Sequence, residues 1–157
     1  GHHVETLKLP RRLVTRSEKE WAQVLVDRVL AKPADKRTSG EKSHRRWNQH
    51  VLDRYKEQKA NPKFEMELHV LRLGDVAVAT NPFELFLDFG MRMKTRCKAP
   101  QTFIVQLACS AGWYLPTIKA AAGGGYSAII QSNLVGPEGG DVLVNRTVEL
   151  INAMWAK

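Results

Sequence analysis

"KFEMELHVLRLGDVAVATNPFELF", residues 63 to 86, decides the fold of this chain. Its first part alternates. Phe64, Met66, Leu68 and Val70 fall on one face, and Glu65, Glu67 and His69 on the other. A period of two is that of a half-buried strand. "LGD" at 73–75 supplies a tight turn and "VAVAT" a short apolar second strand, so the stretch predicts a hairpin. The pattern then changes. Asn81 is a good N-cap, Pro82 suits the first helical position, and Glu84 falls at the third. That spacing is a capping box and predicts a helix over 82–96. A carboxylate at the C-terminal end of a strand is also where α/β proteins place ligands. Glu84 is therefore a candidate both for a helix cap and for a site.

Upstream, "SEKEWAQVLVDRVLAK" predicts a helix over about 18–31, with Ser17 and Glu20 at capping-box spacing. Trp21, Leu25 and Val29 recur at helical spacing, with Val24 beside them. "KPADKRTSG" reads as a polar linker. A second helix is expected over about 40–59, where Thr38 and Glu41 repeat the capping box. Trp47, Val51 and Tyr55 form a narrow apolar stripe on it, which suits a helix packed on a surface. His2 and His3, at the head of the chain, are given no weight.

Downstream, "TFIVQLACS" reads as a buried strand. Residues 110–140 are expected to be irregular, with "AGW", "LPT", "GGGY" and "GPEGG" along them. Asp141 then opens a last helix carrying Val144, Val148, Ile151 and Trp155 at helical spacing. The order ααββαβ, long loop, α predicts an α/β fold: a layered sheet with flanking helices, as one part of a larger α/β/α domain. A glycine-rich loop of that length in a compact domain is expected to be functional or disordered. At 157 residues the expectation is one domain or domain fragment, with a basic helical part at 1–60 and a hairpin-helix-strand-loop-helix part at 61–157.

The net charge is +8, from 24 Lys and Arg against 16 Asp and Glu, and the excess lies early in the chain. A basic stripe can meet nucleic acid or an anionic lipid surface. No nucleic-acid motif accompanies it, so a solvated helix face is the expectation. Trp21, Trp47 and Tyr55 interleave with the basic residues, but their helical spacing suits a core better than a stacking platform. No apolar run approaches the ~20 residues of a membrane helix. "GHHVETLKLPRRLV" lacks the apolar region of a secretory signal. Cys97 and Cys109 form no disulfide framework and no CxxC pattern; they pair or are buried thiols, and a metal or redox role is not expected. "AAAGGGY" lacks the Lys-Ser/Thr ending of a phosphate loop. His44 and His50 lie on a polar helix and His69 on an outer strand face; all three are expected at the surface, without the partners a metal site needs. Tyr114 and Tyr126 are the tyrosines of the long loop.

"LRLGDVAVATNPFELF", "TFIVQLACSAGWYLPT", "GGGYSA" and "LVGPEGG", in that order, resemble the late part of the catalytic domain of neutral/alkaline (non-lysosomal) ceramidases. In that family a strand with "LGD" runs into a Pro-Gly-Glu motif. A strand, a Gly-Tyr loop, a Tyr-Glu-Gly and a Gly-Pro follow. The resemblance implies that Glu84 and Tyr114 are ligands of a catalytic zinc, with Tyr126 as a further candidate near the site. It implies a secreted or periplasmic parent protein that hydrolyses an N-acyl amide bond. Phe83 stands where the motif has glycine, Trp113 stands before Tyr114 where the family has glycine, and Ser127 follows the second tyrosine in place of glutamate. The family's two zinc histidines and catalytic serine belong to earlier parts of its domain. The implied partner is therefore that N-terminal part, and the isolated chain is expected to be inactive and to assemble with itself. The alternative is a non-catalytic α/β interaction domain that uses the basic N-terminal helices.

Overall fold

The first strand is one that the pattern does not announce. The structure is a computed structural model that describes residues 1–156, and strand β1 occupies His2–Pro10. Its inward positions include His3 and Glu5 as well as Leu7 and Leu9, so it shows no apolar alternation. What holds Glu5 inward is Arg146. Two hydrogen bonds of 2.6 Å run from Nε and Nη2 of Arg146 to the two oxygens of Glu5.

β1 pairs antiparallel with β2 (Lys63–Leu73), which turns at Gly74–Asp75 into β3 (Val76–Thr80). The expected hairpin is thus present. β5 (Gln101–Val105) lies parallel to β3 and completes a four-stranded sheet in the order β1-β2-β3-β5. β4 (Phe83–Leu85) and β6 (Trp113–Leu115) form a separate two-stranded parallel ribbon. Helices α3 (Leu87–Arg96) and α5 (Pro137–Met154) pack on one face of the main sheet. There Phe64, Met66, Leu68, Val70, Ala77 and Ala79 meet Phe89, Met93, Val144, Val148 and Ile151 in one core. The opposite face carries Glu67, His69 and Thr80, and exposes Val4, Phe103 and Val105. The fold is a mixed α/β arrangement of sheets flanked by helices, as expected.

This body comprises Gly1–Arg11 with the chain from Lys63 onward; Arg12–Pro62 forms a second compact unit. That unit pairs α1 (Arg16–Leu30) with α2 (Ser39–Glu57). The box at Thr38 and Glu41 is as expected: Thr38 N–H donates to Glu41 at 2.9 Å, and Glu41 N–H returns to Thr38 Oγ1 at 3.2 Å. The other box is displaced. Thr15 and Glu18 cap α1, while Glu20 accepts a hydrogen bond from Arg16 at 2.8 Å. The α1 face turned inward carries Ala22, Val26 and Val29. Trp21, expected on the core stripe, is 58% exposed. On α2, Val51 and Leu52 are buried, and Trp47 and Tyr55 only partly. Gln58 accepts from Val14 N–H at 2.8 Å and donates to Val14 C=O at 3.2 Å, which closes the unit at its ends.

Two further expectations are corrected. No helix starts at Pro82; the chain stays extended through β4, and α3 begins at Leu87. Asn81 does accept a backbone hydrogen bond, but from Phe83 N–H at 3.1 Å, an Asx turn across Pro82 in place of a helix cap. The last helix starts at Pro137, before Asp141. "GPEGG" looks like loop because glycine is a poor helix former. Here the glycines permit close packing. A Cβ on Gly140 would sit 2.3 Å from the Phe89 ring, and one on Gly139 would sit 2.1 Å from Val135 Cγ1. The region 110–140 is also more ordered than expected, holding β6, α4 (Ile118–Gly123) and a 3-10 turn at Ile130–Ser132.

The Glu5–Arg146 pair predicts an acid-sensitive contact between β1 and α5. The hydrogen bonds from Arg146 hold the Glu5 carboxyl at about 2, below its ordinary 4.5. A carboxyl lowered on folding contributes stability above its unfolded value and loses it as pH falls through the folded one. Glu5→Gln is expected to lower stability by about 1 kcal/mol at pH 7, the upper range for partly exposed ion pairs. The gap from wild type should close between pH 4.5 and 2. Urea denaturation across that range checks it; a gap that does not change with pH would reject the ion-pair account.

Candidate functional site

The ribbon of β4 and β6 brings the predicted residues together. Its register sets Phe83 opposite Trp113, Glu84 opposite Tyr114, and Leu85 opposite Leu115. Phe83 and Leu85 point into the core, so Glu84 and Tyr114 emerge side by side on the other face. The Glu84 carboxylate beside it, with some desolvation, holds the Tyr114 phenol above its ordinary titration range. Tyr126 packs edge-on to it, with ring centroids 5.7 Å apart at 78°. Glu84 is thus free of the cap predicted for it, and the apparent conflict between cap and site disappears.

Asn81 and several residues with no signal in the sequence hold this arrangement. Leu85 N–H donates to Gln106 Oε1 at 2.7 Å, and Asn81 Nδ2 donates to Val105 C=O at 3.3 Å. Asn133 is fully buried; its amide donates to Tyr114 C=O at 3.1 Å and to Ser127 C=O at 3.0 Å. It thereby ties the strand of Tyr114 to the loop beside Tyr126. Backbone strain gathers here: Leu107, Cys109 and Trp113 have φ of 55°, 66° and 60°. Such conformations cost of order 1–3 kcal/mol each and cluster at functional sites. Ala108 N–H to Asn81 C=O (3.0 Å) and Gly112 N–H to Pro82 C=O (2.8 Å) pin the strained segment. Gly112 is where it passes closest, since a Cβ there would sit 2.4 Å from the Phe83 ring. Phe83, where the resembled motif has glycine, is thus a core residue matched to Gly112.

Glu84 and Tyr114 are both half-buried. Two shallow grooves run beside α3, one past Leu85, Met91 and Ile104, the other past Asp88, Ile118 and Asp141. Neither includes Glu84, Tyr114 or Tyr126. As oxygen donors, a carboxylate and a deprotonated phenol can hold zinc. They amount to half of a four-ligand set. Among the described residues, the one group of three His, Cys, Asp or Glu ligand atoms close enough for a metal is Glu67, His69 and Cys109, and it excludes Glu84. His44 and His50 are exposed, as expected. His69 is not the lone surface histidine expected, and Cys109 is neither paired nor buried.

No protein-family model matches the chain, and no curated protein matches it. Solved structures do. A ceramidase complexed with C2 is similar at a TM-score of 0.52 and 17% identity, over 58% of this chain and 15% of that one. The neutral ceramidase from Pseudomonas aeruginosa is similar at a TM-score of 0.51 and 18% identity, over 57% of this chain and 15% of that one. At such identities the likeness is one of fold. The chain spans about 15% of the length of the ceramidase structures it matches.

Proposed function

We propose that this chain is part of the catalytic domain of a zinc-dependent amidohydrolase of the neutral ceramidase type, and that it supplies Glu84 and Tyr114 to the metal. One observation carries the proposal: the parallel register that sets Glu84 directly beside Tyr114. The fold likeness to ceramidases supports it. Bound between these residues and others, zinc would supply Lewis-acid activation for hydrolysis of an N-acyl amide. Glu84 would be one oxygen ligand and Tyr114 another. To ligate, Tyr114 must release its phenol proton, which the neighbouring Glu84 carboxylate holds on, so metal affinity should rise with pH. Tyr126 holds the phenol ring from its edge, and Asn133 fixes the strand beneath it. The remaining ligands, the nucleophile and the acyl pocket would come from the N-terminal part of the same domain.

Zinc added to the chain in a Cys109→Ser background is expected to give a tyrosinate difference band in the near ultraviolet. Tyr114→Phe and Glu84→Gln should lose the band while circular dichroism stays unchanged. A band that survives in Tyr114→Phe would overturn the assignment. The chain alone should hydrolyse no N-acyl amide, with or without zinc, and zinc-dependent turnover by it would overturn its role as a part.

A further inference from the structure

The outer face of the main sheet holds a second cluster, separate from Glu84 and Tyr114. Glu67 and His69 stand two residues apart on β2 and so share one face. Cys109 reaches them from the segment after β5. One ligand atom of each lies within 4.8 Å of the other two. His69 is held at both nitrogens: Nε2 lies 2.6 Å from Glu67 Oε1, and Nδ1 lies 2.9 Å from His2 Nε2. The His2 ring stacks on it at 5.2 Å and 14°. The sulfur is placed by strained backbone. Cys109 has φ of 66° and Leu107 of 55°, and the hydrogen bonds of Ala108 and Gly112 to Asn81 and Pro82 bracket the thiol.

We propose that Glu67, His69 and Cys109 form a binding site for a borderline-soft divalent cation, zinc being the type. The donor set decides the class. Calcium and magnesium take oxygen ligands, whereas one thiolate, one imidazole and one carboxylate suit zinc. Three protein ligands leave a fourth position for water. His2 is the outer partner: with the metal on Nε2 of His69, the ring proton sits on Nδ1 and is donated to His2 Nε2. Such outer hydrogen bonds fix the tautomer of a ligating histidine. The thiol gives up its proton to solvent, the sulfur–metal bond forms, and the proton on each of the His69 and His2 rings moves from Nε2 to Nδ1, which leaves His2 Nε2 free to accept. The strained backbone at Cys109 gains a purpose, since strain of this kind persists at ligand clamps.

Cobalt(II) titration of the whole chain under reducing conditions tests the site. A thiolate-to-cobalt charge-transfer band is expected in the near ultraviolet, saturating at one metal per chain and abolished by equimolar zinc. Cys109→Ser should abolish it, and Glu67→Gln and His69→Asn should each weaken binding at least tenfold. His2→Ala should weaken it about tenfold, the effect of an outer-shell partner. Cys97→Ser and the Glu84→Gln/Tyr114→Phe double variant should leave it unchanged, which separates this site from the one proposed above. The site is overturned if no such band forms, if the band survives Cys109→Ser, if His69→Asn leaves the affinity intact (a lone thiolate), or if one metal bridges two chains.

Discussion

Phe83→Ala is expected to destabilise the sheet-bearing body by about 3–5 kcal/mol, the range for emptying a buried phenylalanine site. That is a large share of the 5–15 kcal/mol that holds a typical domain folded. Phe83 is fully buried, and its ring tilts at 44° against Phe64 with centroids 5.6 Å apart. It also fills the space that Gly112 leaves by having no side chain. The pairing makes a sharper test than the single variant. Gly112→Ala alone forces its Cβ into a ring that has nowhere to go, at about 1–3 kcal/mol. In the Phe83→Ala background the same methyl enters vacated space and should cost little or restore stability. Urea denaturation of the four proteins gives the coupling energy. Additive losses would mean that the two residues are not matched, and that the departure from glycine at 83 has another origin.

The parts of this fold that were legible were those with a single driving force. The alternation of Phe64, Met66, Leu68 and Val70 reports burial alone, and that strand lies where the pattern puts it. Thr38 and Glu41 likewise form their box. The misread parts are places where two forces compete. Asn81 and Glu84 carry capping-box spacing, but Phe83 and Leu85 gain more by alternating into the core as a strand. Helix α5 begins in a glycine-rich run because Phe89 and Val135 need the space. β1 hides because Glu5 faces inward on an ion pair formed 141 residues away, and no local pattern encodes such a partner. Ser17 and Glu20 matched the box motif as well as Thr15 and Glu18 do; only the buried face of α1 separates them.

The candidate site was legible by a different route. Glu84 stood out by its place at the end of a strand and, with Tyr114 and Tyr126, by resemblance; the structure sets Glu84 opposite Tyr114 and Tyr126 edge-on to Tyr114. Nothing in their spacing foretells the parallel register that does so, because a two-stranded ribbon of three-residue strands has no sequence signature. The cluster of Glu67, His69 and Cys109 was half legible. The first two share a strand face by parity, while Cys109 arrives through positive-φ backbone that propensity does not anticipate.

Asn133→Ala is the second large effect expected, and it joins stability to the site. The Asn133 amide is fully buried and serves two carbonyls at once, those of Tyr114 and Ser127. Alanine removes both donors where water does not readily replace them, at about 1–3 kcal/mol for each group deprived. The bridge from Trp113 to Asn133 is backbone pairing and survives the substitution, so the chain should keep its course. What should loosen is the hold on Tyr114. Its hydroxyl owes the raised titration to Glu84, and a strand freed from Asn133 presents that hydroxyl less constantly. The phenol should therefore titrate at lower pH in Asn133→Ala than in wild type, moving toward the behaviour of Glu84→Gln. Ultraviolet absorbance of phenolate formation, read against Tyr114→Phe to isolate this ring, measures the shift. A loss of stability with Tyr114 titrating as in wild type would make Asn133 a core contact only. Loss of both would make it the residue that positions Tyr114 for Glu84.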